Sequence, residues 1–170
     1  MVKNKSDNGK LQYVVFGIYL LFLVWLVLFK FSTSFDSIIQ NRGMNLIPFS
    51  SSEDSSARVV LKEFIYNVLV FVPLGTYLSV VFKKWSFLKK TFAAFCISLA
   101  FEVIQFVFAL GISDITDLIN NTAGAVAGIG IYRILSLLFK EKTAKLLNII
   151  GITAEACFCV LFLLLILANI

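Results

Sequence analysis

The sequence predicts an all-α fold, a polytopic membrane helix bundle of about five transmembrane helices with a cytoplasmic N-terminus. Three observations predict it. Of 170 residues, 59% are hydrophobic and 18 are Phe, whereas a soluble domain is nearer half apolar. Five apolar runs are each long enough to cross a hydrocarbon layer, which takes about 20 helical residues. The Lys and Arg residues sit in short flanks beside those runs, where membrane topology puts them.

The runs are approximately 11–29, 64–82, 91–110, 114–139 and 146–168, within a single membrane domain spanning residues 1–170. Each is helical because lipid offers a backbone N–H no partner except the chain's own carbonyls. The first follows Lys3, Lys5 and Lys10 and has the look of a signal sequence. It is longer than a signal core and ends in Lys30 without a small-residue cleavage site, so it reads as a retained helix. Pro73 and Gly75 predict a kink or break in the second helix. The fourth run starts with polar residues, and helix and loop blur there.

Orientation follows from the cations. One set of loops holds Lys3, Lys5, Lys10, Lys83, Lys84, Lys89, Lys90, Lys140, Lys142 and Lys145; the other holds Lys30, Arg42, Arg58 and Lys62. The excess puts the first set in the cytoplasm. The segment 30–62 then faces outward, as does a tight turn around Gly111–Asp114. That segment contains the apolar hexad Met44–Phe49, in which Pro48 forbids regular helix and biases Ile47 to extended geometry. A re-entrant lid and an interfacial anchor fit this hexad equally.

Composition also excludes function classes. There is no His, which removes His-based nucleophilic catalysis, His-ligated metals and His proton relays. The net charge of +5 is spent on topology, so no nucleic-acid partner is expected; the lipid bilayer is the expected partner. Cys96, Cys157 and Cys159 all lie in apolar segments and read as space-filling thiols. No cofactor is expected.

The informative residues are polar ones inside the apolar runs. Ser98, Glu102, Gln105 and Ala109 share one face of the third helix, and Asp114, Asp117, Asn121, Gly124 and Gly128 form a stripe along the fourth. An ionised carboxylate in hydrocarbon costs several kcal/mol unless paired, hydrated or protonated. Glu102 lies about 12 Å below the outer end of its helix and Asn121 about 10 Å below the start of the next. With Asn67 at the outer end of the second helix and Asn45 and Pro48 in the hexad, three helices and segment 43–49 are expected to line one outward-opening polar pocket. Its expected ligand-binding residues are Asn45, Pro48, Asn67, Glu102, Gln105, Asp114, Asp117 and Asn121.

Plainer readings stand beside this one. Asn67 and Gln105 can be hydrogen-bonding glue between helices, at ~0.6–2 kcal/mol each, and Asp114 can be only an N-cap. Gly124-x-x-x-Gly128 allows close helix approach, within the chain or against a second copy. Arg133 and Glu155, in the inner half, are expected to form an interhelical ion pair.

Glu102 and Asp117 are the catalytic candidates if chemistry occurs. A desolvated Glu102 suits a general acid, but the sequence names no nucleophile. Asp114-Ile115-Thr116-Asp117 resembles a DxxD site for Mg²⁺ and diphosphate, yet two carboxylates at a helix start are common and no cation adjoins them. No metal site is expected.

The residues Val24–Lys30, Asn45-Leu46-Ile47-Pro48-Phe49, Asn67–Gly75 and Glu102–Asn121 together resemble the VanZ family. The resemblance runs from the first helix through the fourth. It implies a small multi-pass protein of the bacterial plasma membrane, associated with resistance to lipoglycopeptides such as teicoplanin. It also implies an Arg just before the first Asp of DxxD, where this chain has Gly111; Arg42 and Arg58 are the candidates to replace it. Three functions remain open: a resistance protein with an outward pocket for the drug or a lipid-linked wall component, an enzyme modifying or hydrolysing an envelope lipid, and a small transporter. The transporter ranks third because apolar and small residues 125–132 interrupt a through-path.

Overall fold

The computed structural model describes residues 4–29, 41–49 and 57–168; the expectations for 30–40 and for the Ser-rich 50–56 lie outside these. Five long helices follow the five predicted runs: α1 (Asn4–Phe29), α2 (Ala57–Val81), α3 (Phe87–Phe108), α4 (Ile115–Phe139) and α5 (Thr143–Ala168). Four stretches among the described residues are long and apolar enough to cross a membrane, and the last of them, Ile115–Leu164, takes in α4 and most of α5. A 3-10 turn at Lys140–Lys142 separates these two, and Lys140 leaves helical geometry at φ 48°.

Interhelical contacts fix the directions. The Tyr19 hydroxyl donates to the Val70 carbonyl (2.8 Å), and the Phe16, Tyr19 and Tyr77 rings stack, joining α1 to α2. Gln105 Nε2 donates to the Val27 carbonyl, bringing the end of α3 to the end of α1. Phe22 and Trp25 on α1 meet Phe158 edge-on, and Trp25 also meets Phe162. α1, α3 and α5 therefore run one way, and α2 and α4 the other.

α2 and α4 form the tightest seam. A Cβ on Gly75 would overlap the Ala125 backbone, one on Gly124 the Val68 backbone, and one on Gly128 the Val72 carbonyl. The small-residue stripe thus packs within the chain, with helix backbones in contact. Thr76 Oγ1 spans the seam to the Gly128 carbonyl (3.2 Å). The expected break in α2 is not made: the helix runs through Pro73 to Val81, and Gly75 serves close approach instead.

The expected tight turn at Gly111–Asp114 is a strand. β2 (Leu110–Asp114) pairs in parallel with β1 (Asn41–Asn45), with Arg42 opposite Gly111 and Asn45 opposite Asp114. Ala109, left-handed at φ 53° and ψ 38°, stops α3 with its N–H on the Gln105 and Phe106 carbonyls and turns the chain into β2. Two strands 65 residues apart in sequence cap the ends of α3 and α4. At this sheet end Met44, Leu46, Ile47, Phe49, Phe108 and Ile112 are exposed. Ile47–Phe49 follow β1 as a bend and turn.

Candidate polar site at the sheet end

The site is built on two helical stripes. Ser98, Glu102 and Gln105 are buried on α3, and Asn120 and Asn121 on α4. Asn121 Nδ2 donates to Ser98 Oγ (3.0 Å), locking the two helices together. One turn nearer the sheet on each helix stand Glu102 and Asp117. Glu102, 5% exposed, lies about 9 Å inside the end of α3, which stops at Phe108. Its Oε2 accepts the Asp114 backbone N–H at 2.8 Å. The last residue of β2 is thereby tied to the middle of the α3 stripe.

Asp114 does cap α4: its Oδ1 accepts the Thr116 N–H at 2.7 Å. Capping is only part of its work. Its Oδ2 accepts from Asn45 Nδ2 (3.0 Å), joining β1 to the start of α4. Asn45 Oδ1 in turn accepts the Ile47 N–H (3.2 Å), which shapes the chain before Pro48. The Phe49 N–H donates to Thr116 Oγ1 (3.0 Å), so the far end of the hexad is fastened to α4 as well. From α2, Asn67 Nδ2 donates to Asp117 Oδ1.

Glu102, Asp114, Asp117, Asn121, Asn67 and Asn45 therefore come together from α2, α3, α4, β1 and β2. Gln105 is buried on the same stripe, but its amide nitrogen turns to α1. Pro48 lies exposed in the turn after β1. Thr116 has a structural role that sequence reasoning missed; its place between the two Asp residues was the only available signal. Among the described residues, no group of three or more Cys, Asp or Glu side chains is arranged to hold a metal ion. Arg42 is placed opposite Gly111 by backbone register, and its side chain lies outside what is described; Arg58 is exposed at the start of α2.

The expected Arg133–Glu155 ion pair is not formed. Arg133 is exposed, and Glu155 Oε1 is buried without a hydrogen-bond partner. Helix depth explains this. Arg133 is about 9 Å from the end of α4, while Glu155 is about 18 Å into α5, whose rings pack on α1. At that opposite end, Lys90 is buried with Nζ 5.9 Å from the centre of the Tyr132 ring, a cation–π contact.

Two acceptors near the cluster are buried and lack partners: Asn121 Oδ1 and Gln105 Oε1. In both residues the amide nitrogen is engaged and the carbonyl is left over.

Comparison with known proteins agrees with this frame. No solved structure matches the chain. Over 118 residues the chain is 42% identical to Protein VanZ of Enterococcus faecium, covering 68% of this chain and 70% of that protein. Residues 16–137 match the VanZ/LLP1 family, a stretch that holds the second half of α1, all of α2 and α3, α4 but for its last two residues, and every residue of the polar cluster, but leaves out α5. With its apolar helices and that match, the chain is a membrane protein that belongs to the VanZ/LLP1 family.

Proposed function

We propose that this protein gives resistance to glycopeptide antibiotics of the teicoplanin type from the bacterial plasma membrane. In this reading the polar cluster is an outward-facing site for an amphiphile, either the drug or a lipid-linked component of the envelope. The Lys excess on the loops away from the sheet supports an outward sheet end, and these drugs act on the outer face of the membrane. The exposed apolar residues Met44, Leu46, Ile47 and Phe49 suit a rim resting in the outer leaflet.

One observation carries the reading: Glu102, deep in α3, is held by the backbone of Asp114. Polar glue would need one partner on one neighbouring helix. Here a buried carboxylate, two further carboxylates and their amide partners are built together from five elements, which is expensive in hydrocarbon unless used.

The test is teicoplanin susceptibility of cells producing Glu102→Gln or Asp117→Asn at membrane levels equal to the unaltered protein. Each is expected to abolish protection. Full protection in both would remove the site from the account. The competing enzymatic reading rests on Glu102 beside Asp117, with the Ser113 hydroxyl also hydrogen-bonded to Glu102. Mass spectrometry of envelope lipids with and without the protein separates the two, since an unchanged profile counts against an enzyme.

A further inference from the structure

We propose that the Lys-rich end of the bundle, opposite the sheet, binds the phosphodiester headgroup of an anionic phospholipid, with Lys90 as its selective contact. The proposal is independent of the polar cluster at the sheet end.

The chain gathers cations here with little to oppose them. Residues 83–90 hold Lys83, Lys84, Lys89 and Lys90 and no acid, and residues 140–145 hold Lys140, Lys142 and Lys145 against Glu141 alone. The contact of Lys90 with Tyr132 ties the start of α3 to the last turns of α4 and so brings both stretches to one end. All of these lysines except Lys90 are exposed, and topology accounts for them. It does not account for Lys90, which is 8% exposed. A lysine that only marked orientation would keep its charge in water, because its long stem lets the ammonium reach outward. Among the described residues, the Lys90 ammonium meets the face of the Tyr132 ring and pairs with no carboxylate. A ring face offsets part of the cost of burying a cation. An anion is what the buried charge still lacks.

The depth of Lys90 identifies that anion as a lipid phosphate. Lys90 is three residues past the first residue of α3, Phe87, about 4–5 Å along the axis. Just before it Trp85 stacks on Phe82, and Trp85, Phe87 and Leu88 are all exposed. Aromatic side chains at the end of a spanning helix sit at headgroup level, so Lys90 stands where hydrocarbon gives way to phosphate. Lysines clustered beside a membrane helix attract anionic lipid. A lysine held between two helices gives that diffuse attraction a fixed point, and the surplus of cations favours a net-negative headgroup over a zwitterionic one.

The test is the thermal unfolding midpoint of the whole protein in dodecyl maltoside, titrated with phosphatidylglycerol, phosphatidylcholine or glycerol 3-phosphate. Phosphatidylglycerol is expected to raise the midpoint saturably, phosphatidylcholine much less, and glycerol 3-phosphate at the same concentrations not at all. In Lys90→Met the half-saturating concentration of phosphatidylglycerol is expected to rise ~10-fold or more. In Lys142→Gln, which removes one charge from the screened surface, it is expected to change by ~2-fold or less. Lys90→Met fills the space of the stem without its charge, so without lipid its midpoint is expected to equal or exceed that of the unaltered protein. A residue that served packing alone would not combine retained stability with a lost lipid response. Lys90→Gln is expected to lose the response as well and serves as the test if Lys90→Met does not fold, while Lys90→Arg is expected to keep it. Equal losses in the Lys90 and Lys142 variants would reduce the interaction to surface charge and overturn the proposal. So would equal responses to phosphatidylglycerol and phosphatidylcholine, or no saturable response to either. A response to glycerol 3-phosphate that disappears in Lys90→Met would overturn the lipid as the occupant and assign the site to a soluble phosphate.

Discussion

Glu102 and Glu155 are both glutamates on apolar helices, and their surroundings have little in common. Glu102 is held by the Asp114 N–H, with Ser98, Asn121 and Asp117 on the adjoining turns. Glu155 has an oxygen buried without a partner and Tyr77 as its polar neighbour. The helices beneath them differ too. Glu102 lies beside Asp117 of α4, a helix whose backbone meets that of α2 at glycines. Glu155 rides on α5, which leans on α1 through aromatic rings and lies outside the family match. A carboxylate in an apolar helix is thus not enough to mark a site. The environment built around it, on rigid elements, is the stronger mark.

Substitutions can break or sharpen this contrast. The largest effect is expected from Gly75→Leu, whose side chain would have to displace the Ala125 backbone. Overpacking there should cost about 3 kcal/mol or more and remove the monodisperse peak in detergent gel filtration. Gly130→Ala, with open space around it, should elute like the unaltered protein. Next comes Phe158→Ala, which loses ring contacts with Phe22 and Trp25. At ~0.5–1.5 kcal/mol per aromatic pair, it should lower the thermal unfolding midpoint while leaving the polar cluster intact, so teicoplanin protection should persist. Asn67→Leu removes the amide held by Asp117. It should cost ~0.6–2 kcal/mol in stability and reduce protection, the reverse pattern to Phe158→Ala. Arg133→Gln, exposed and unpaired with Glu155, should shift stability by no more than about 0.5 kcal/mol.

The sequence made the helices legible, because lipid enforces them and apolar runs announce them. The two polar stripes were legible as well, since i, i+3 and i, i+4 spacing is a local property that put Glu102 with Ser98 and Asp117 with Asn121. The sheet was not legible. Asn41–Asn45 and Leu110–Asp114 are short, each contains a Gly, and parallel pairing across 65 residues leaves no local periodicity. The stop of α3 was also hidden, because Ala109 adopts a left-handed conformation that sequence reading reserves for Gly or Asn. Consequently the partners of Asp114 and the fastening of Phe49 to Thr116 were beyond reach. So was the failure of Arg133 to meet Glu155, which depends on where α5 begins and which helix it packs against.

The measurement that tests the contrast most directly is teicoplanin susceptibility of two strains, one producing Glu102→Gln and one Glu155→Gln, at matched membrane levels. The account predicts that Glu102→Gln is as susceptible as cells lacking the protein and that Glu155→Gln is as protected as cells with the unaltered chain. Protection retained in Glu102→Gln and lost in Glu155→Gln would contradict it and move the functional site to α5.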